Sequence, residues 1–125
     1  MSQTDPGQFE SEDPLPFLTK PLLDKLLEIR CKVTRSTCAT AALYSMANAF
    51  LESRSNGSLV IKSVSRNEIL ALIERYGQRC SKQNLHKVLH RLAKFDLVML
   101  TGSLARLSDS LAAKVAEIAD KTESG

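Results

Sequence analysis

The chain has 125 residues, of which 43% are hydrophobic and 25% are charged, and its formal net charge is +3. This length and composition are typical of one soluble globular domain with a small core. No run approaches the ~20 apolar residues of a membrane span. The acidic N-terminus also lacks the basic-then-apolar order of a signal peptide, so we expect an intracellular protein.

The first third of the chain predicts a polar tail and two helices. Residues 1–16 are rich in Ser, Gln, Asp and Glu, and we expect them to be disordered. Leucines at helical spacing predict a helix over residues 20–32, with Pro21 tolerated in its first turn. A second helix begins after residues 34–37 and continues to about Ser53, before Asn56-Gly57 stops it. Its apolar stripe is Leu43, Met46, Ala47, Phe50 and Leu51.

The middle of the chain predicts a strand followed by two short helices. Residues 59–64 are mostly apolar and β-branched and too few for a helix, which favours a strand. Ser65 and Glu68 have the spacing of a capping box. The helix that follows ends at Gly77, which can adopt a left-handed conformation, and Ser81 offers the next N-cap. The two apolar stripes are Ile69, Leu72, Ile73 and Tyr76, then Leu85, Val88, Leu89 and Leu92.

The last part predicts a hairpin and a final helix. Residues 97–100 and 104–107 are expected to be strands, with Gly102 at the centre of the turn between them. Ser108 or Asp109 caps a last helix with the apolar stripe Leu111, Val115 and Ile118. Residues 121–125 form a polar tail that we expect to be disordered, so that residues 17–120 make a single domain.

The polar side of the predicted helix 82–94 carries the main functional signal. Basic residues can contact phosphates, while Gln, Arg and Lys can pair with base edges in a DNA major groove. Residues 65–103 contain seven bases and three acids, whereas residues 1–31 contain three bases and six acids. Positive charge is therefore concentrated where a polyanion would bind. The predicted DNA-binding residues are Arg79, Lys82, Gln83, Asn84, His86, Lys87, His90, Arg91, Lys94 and Arg106.

The order of elements from the second helix onward resembles the winged-helix form of the helix-turn-helix fold. The phrase LHKVLHRLAKFDLVMLTGS, residues 85–103, looks like that family's recognition helix running into its first wing strand, and the resemblance covers roughly residues 37–108. It implies a mainly α fold with a small antiparallel β-sheet, and here with additional N- and C-terminal helices. Two features depart from the family pattern: Asp96 replaces a common Gly, and the turn between the strands is very short.

The apolar helices at the two ends resemble those of dimeric bacterial regulators of the MarR and ArsR type, in which terminal helices pair across a two-fold axis. The resemblance implies a homodimer built from residues 20–32 and 109–120, with its two recognition helices about one DNA turn apart. Alternatively, both helices simply cover the core of one chain.

Other chemistry has weaker support in the sequence. His86 and His90 have a spacing that can hold a metal, but no Cys-x-x-Cys pair supplies further zinc ligands, so no metal is expected. An odd number of cysteines argues against a disulfide framework. Cys31 and Cys38 are interpreted as small core residues or as part of a helix junction, and Cys80 as the best candidate for a reactive thiolate. Without a Gly-rich phosphate loop or a Gly-x-Ser-x-Gly motif, we expect neither an enzyme nor a cofactor.

Two functional hypotheses follow from these patterns. The first is a double-stranded DNA-binding protein, a transcriptional or replication-linked regulator that places residues 82–94 in the major groove. The second is a winged-helix module for protein–protein contact in a larger assembly, with its basic helix facing an acidic partner. Gln83 and Asn84 near the start of the basic helix favour the first, whereas the modest net charge and the short wing favour the second.

Overall fold

The computed structural model describes residues 15–58 and 60–124, which form a mainly helical fold with a small three-stranded antiparallel sheet. The helices in these residues are α1 (Lys20–Val33), α2 (Thr37–Ser55), α3 (Arg66–Arg75), α4 (Lys82–Lys94) and α5 (Asp109–Ser124). The strands are β1 (Val64–Ser65), β2 (Val98–Thr101) and β3 (Leu104–Leu107), in the sheet order β1-β3-β2. Within this part of the chain, no helix is long and apolar enough to cross a membrane.

Helix α2 lies at the centre of the core and contacts all four other helices as well as β3. Leu43, Met46 and Ala47 on its predicted stripe have no exposed surface. Four further alanines of this helix are also buried: Ala39, Ala41, Ala42 and Ala49. Small side chains allow the neighbouring helices to approach closely. The helix ends before Gly57, whose φ of 90° explains why a glycine is needed there.

The ends of α3 and α4 confirm the predicted capping signals. The Ser65 hydroxyl accepts from the Glu68 backbone N–H at 3.1 Å, and the Glu68 carboxylate accepts from the Ser65 N–H at 2.9 Å. Gly77 follows α3 with a φ of 75°. The Ser81 hydroxyl accepts from the first turn of α4 at 3.0 Å. Tyr76, however, was wrongly placed in the apolar stripe of α3, because it follows the last helical residue and is 49% exposed.

The strand predicted over residues 59–64 is wrong in extent. In the structure, β1 contains only Val64 and Ser65, which pair with Ala105 and Leu104 of β3. Val60 is 73% exposed, and Leu59 lies outside the described residues. A β-branched run becomes a strand only where it packs beside another strand. The segment before Val64 instead turns toward α2, where the Lys62 ammonium lies 4.0 Å from the Glu52 carboxylate.

The hairpin of β2 and β3 has Gly102 in its turn as predicted, but the turn is one residue shorter than expected because β2 covers Val98–Thr101 and not residues 97–100. Thr101 pairs with Leu104, which leaves Gly102 and Ser103 as a two-residue turn, and Gly102 has a φ of 60°. Asp96, between α4 and β2, also has a φ of 60°. Asp adopts this left-handed conformation more readily than most side chains do. Here its carboxylate also accepts a hydrogen bond from the Ser110 hydroxyl at 3.2 Å.

The buried Ser108 joins the end of α4 to the start of α5. Its hydroxyl donates to the Asp96 carbonyl oxygen at 2.7 Å and accepts from the Leu111 N–H at 3.2 Å, while its own N–H donates to the Leu97 carbonyl oxygen at 3.0 Å. The residue is only 1% exposed. Of the two residues predicted to cap the last helix, Ser108 is therefore the one that does so.

Both segments that were predicted to be disordered tails are partly ordered in the described residues. Residues 1–14 lie outside the described residues, but Leu15 is buried and its carbonyl oxygen accepts from the Leu18 N–H at 3.2 Å. At the other end, α5 continues to Ser124, so residues 121–124 are helical rather than disordered. The helix is supported there by Ala119 in the core and by the Arg54 guanidinium, which binds both Asp120 carboxylate oxygens at 3.0 Å.

The Ser108 junction yields a stability prediction. Ser108→Ala should lower the free energy of unfolding by roughly 1–3 kcal/mol, because it removes an N-cap and leaves the buried Leu111 N–H and the part-buried Asp96 carbonyl oxygen without this partner. Ser103→Ala is the control, since it removes an exposed hydroxyl in the hairpin turn, away from this junction, and should change stability by only about 0.5 kcal/mol. Urea denaturation followed by circular dichroism measures both. Equal losses in the two variants would contradict this role of Ser108.

Candidate nucleic-acid interface

Helix α4 separates its apolar and polar sides completely. Leu85, Leu89 and Leu92 have no exposed surface and Val88 is buried, as the sequence predicted. The predicted DNA-binding residues on the helix are all exposed, and so is Arg79 in the segment just before it. The exposed residues of α4 are Lys82, Gln83, Asn84, His86, Lys87, His90, Arg91 and Lys94.

The exposed side of α4 carries uncompensated positive charge. The helix contains four basic residues and no acidic one. Among the described residues, no ion pair includes Lys82, Lys87 or Lys94; the ion pairs belong to lysines and arginines of other elements. The nearest acid in sequence, Asp96, accepts a hydrogen bond from Ser110. This face therefore presents a positive potential to solvent.

A groove of about 700 Å³ extends this face toward the start of α3 and the hairpin turn. Lys82, Gln83, His86 and Lys87 line one side of it. The other side of the groove was not predicted from the sequence, and its polar residues are Ser65, Arg66, Asn67 and Ser103. The capping box was the available signal, because it marks the start of α3 in the sequence and so the position of Arg66 and Asn67. The Arg66 Nε atom is buried there and has no hydrogen-bond partner among the described residues.

Two predicted DNA-binding arginines are engaged inside the molecule. The Arg91 Nε–H donates to the Val33 carbonyl oxygen at 2.8 Å, and its guanidinium lies 5.6 Å from the centre of the Phe95 ring. The Arg106 guanidinium donates to the Leu107 carbonyl oxygen at 2.9 Å and pairs with the Asp109 carboxylate at 3.3 Å. Both guanidinium groups thus bond to other parts of the chain, although Arg91 remains exposed and Arg106 is half-buried.

Asn84 and the two histidines of α4 contact other side chains of the protein. The Asn84 side-chain N–H groups face two sulfur atoms, Cys38 Sγ at 3.9 Å and Cys80 Sγ at 3.7 Å. The His86 and His90 rings lie on the exposed side with their centres 4.2 Å apart. Within the described part of the chain, no group of three or more His, Cys, Asp or Glu side chains is arranged to hold a metal ion.

The environment of Cys80 contradicts its interpretation as a reactive thiolate. Burial, followed by a hydrogen bond with the Cys38 side chain, raises the pKa of Cys80 from 9.0 to about 11, although Asn84 acts in the opposite direction. The neighbouring cations Arg79 and Lys82 do not offset this rise in pKa, and both side chains are exposed to solvent. Cys38 is buried in the first turn of α2, whereas Cys31 is exposed in the last turn of α1, so that it lies near the junction of the two helices and not in the core.

The raised pKa of Cys80 yields a reactivity prediction. In a Cys31→Ser variant, alkylation of Cys80 by iodoacetamide should accelerate about tenfold per pH unit from roughly pH 7 to pH 10, because the thiolate fraction rises by that factor below the pKa. Mass spectrometry of the peptide containing Cys80 gives the rate at each pH. The same variant in urea is the control, and there the rate should level off near the ordinary thiol pKa. A plateau at neutral pH in the folded protein would show that Cys80 is a thiolate after all.

Comparison of the chain with protein-family models, curated proteins and solved structures gave no significant match. The surface itself combines a helix that is held by its apolar side, three exposed lysines on that helix, and a groove that continues onto the start of α3.

Proposed function

We propose that this protein is a winged-helix regulator of transcription or replication that binds double-stranded DNA inside the cell. The observation that carries the proposal is the outer side of α4, where Lys82, Lys87 and Lys94 are exposed and form no ion pair among the described residues. A helix of about 10–12 Å diameter fits the major groove of B-DNA. The lysines would contact phosphates, and Gln83 would reach base edges.

The connectivity supports a winged helix. The elements α2, β1, α3, α4, β2, β3 and α5 follow in the expected order, and β1 pairs with β3 as the third strand of the sheet. Asp96 departs from the family's usual glycine, yet it adopts the left-handed conformation that a glycine would supply. The departure is therefore one of residue type and not of backbone shape.

The groove beside α4 supports contact with a second phosphate group. Arg66 and Asn67 at the start of α3 lie across it from Lys82 and Lys87. The capping box and the Ser103 carbonyl oxygen already accept from the backbone N–H groups of Ser65, Glu68 and Arg66, so an anion in the groove would meet mainly the Arg66 and Asn67 side chains. We propose that α4 enters the major groove while the start of α3 holds the adjoining sugar–phosphate backbone.

The proposal is tested by reversing charges on α4. Lys87→Glu and Lys94→Glu should each reduce the slope of log affinity against log salt by about one or more, because a lost phosphate contact removes a counterion-release term. Lys114→Glu on α5 is the control, since it makes the same change in net charge at an exposed position outside α4. All three variants should keep their stability within about 0.5 kcal/mol. Fluorescence anisotropy titrations on duplex DNA over a range of salt concentrations measure the slopes.

An alternative function is favoured by the sheet. Its outer surface exposes Met99 and Leu104, and the two-residue hairpin turn is too short to follow a DNA minor groove. Apolar side chains in this position suit contact with another protein. If duplex binding shows no salt dependence, or if the α4 variants bind as the parent does, the basic face of α4 belongs to an acidic protein partner.

We also propose that the chain forms a homodimer. Within the predicted interface of residues 20–32 and 109–120, the exposed apolar surface favours the first segment. On α5, Leu111 and Val115 are already buried within one chain. On α1, Leu27 remains 39% exposed and the neighbouring Leu23 is half-buried. The apolar surface left for a second copy is therefore mainly that of α1.

The dimer is tested by sedimentation at micromolar concentration. We expect a species of twice the 13.8 kDa chain mass. Leu27→Glu should return it to the monomer, because a charge in an apolar interface is costly to desolvate. Lys25→Glu on the same helix is a control for added negative charge. A parent protein that sediments only as a monomer would exclude this interface.

A further inference from the structure

The cysteines at positions 38 and 80 meet where the start of α2 approaches the segment that leads into α4. Cys38 is the second residue of α2 and is buried, while Cys80 directly precedes the N-cap Ser81 and is half-buried. One nitrogen atom, Asn84 Nδ2, lies 3.9 Å from the first sulfur and 3.7 Å from the second. The Cys80 thiol itself donates to the Ser81 carbonyl oxygen at 3.5 Å. Two thiols that are distant in sequence thus flank the same amide nitrogen in the fold.

The two thiols differ in solvent exposure, and a stepwise oxidation requires such a difference. Cys80 is accessible enough for a small reagent to reach it, whereas Cys38 is buried behind it. A sulfur at Cys80 that has reacted would therefore sit beside a second thiol protected from solvent. The third cysteine, Cys31, is exposed on α1 and takes no part in this arrangement.

We propose that Cys38 and Cys80 form a dithiol site that low-molecular-weight disulfides oxidise to an intramolecular disulfide. The Cys80 thiolate attacks one sulfur of the small disulfide, forms a mixed disulfide and releases one small thiol after protonation. Cys38 then loses its proton and attacks the Cys80 sulfur, which forms the protein disulfide and releases the second small thiol. The protein loses two electrons and two protons, and the reagent gains both.

The oxidised site would tie α2 to the beginning of α4. Cys80 lies one residue before the N-cap and four before Asn84, so the bond would hold the first turn of α4 against the core. It would also close a long loop that contains α3, and such a closure disfavours the unfolded chain. The raised pKa of Cys80 makes the exchange slow at neutral pH, which keeps the pair reduced until oxidising conditions persist. The site does not depend on the proposed DNA binding.

The test uses a full-length Cys31→Ser variant and oxidised glutathione at about pH 9, where the thiolate fraction is larger. We expect a monomeric product that is two hydrogen atoms lighter than the reduced chain. Non-reducing tryptic digestion should give residues 36–54 joined to residues 80–82, and dithiothreitol should reverse the link. The oxidised form should also unfold at a higher urea concentration than the reduced form does.

The matched control is the Cys31→Ser, Cys38→Ser double variant, which should stop at a stable glutathione adduct on Cys80. A glutathione adduct that persists on Cys80 in the single variant would overturn the proposal, because it would show that Cys38 cannot reach the sulfur. Disulfide-linked dimers as the main product would overturn it as well. So would two thiols that stay reduced in the folded protein but become oxidised in urea.

Discussion

The burial of four aliphatic side chains of α4 is the constraint on which the rest of the surface depends. Leu85, Leu89 and Leu92 lie fully inside the core beside α2, and each would cost about 2–5 kcal/mol to truncate to alanine. Successive residues are 100° apart around a helix, so any other rotation of α4 would expose a leucine and bury a lysine. Core packing therefore decides which charges face solvent.

The basic residues of this region fall into two groups with different physical roles. Arg91 and Arg106 use their planar, many-donor guanidinium groups to bond backbone carbonyl oxygens, that of Val33 in α1 and that of the adjacent Leu107 in β3. Lysines remain on the outside, and a lysine is a flexible point charge that attracts phosphate with little directional preference. Most of the attraction to a polyanion would then be independent of sequence. Discrimination between base pairs would depend on the few outward side chains that can donate and accept, above all Gln83.

The features that could be predicted from the sequence are those set by short-range chemistry. The capping box at Ser65, the left-handed residues and the two-sided pattern of α4 each depend on residues within one or two turns of one another. The features that could not be predicted depend on distant partners. Arg91 binds Val33, Cys80 meets Cys38, and the segment before Val64 finds no continuous neighbouring strand. The groove residues Arg66 and Asn67 were missed because only the folded chain brings α3 beside α4.

The hydroxyl of Ser108 has a consequence for how the molecule opens. It links the carbonyl oxygen of Asp96, just after α4, to the first turn of α5. Unfolding of the first turn of α5 therefore releases the segment that follows α4. Unfolding of that segment likewise removes a hydrogen bond from the start of α5. Sub-global openings involve contiguous cooperative units, and this shared bond places the end of α4 and the start of α5 in the same unit. Backbone amides on the two sides of the junction should then exchange their hydrogens with a common opening free energy, although they belong to different helices.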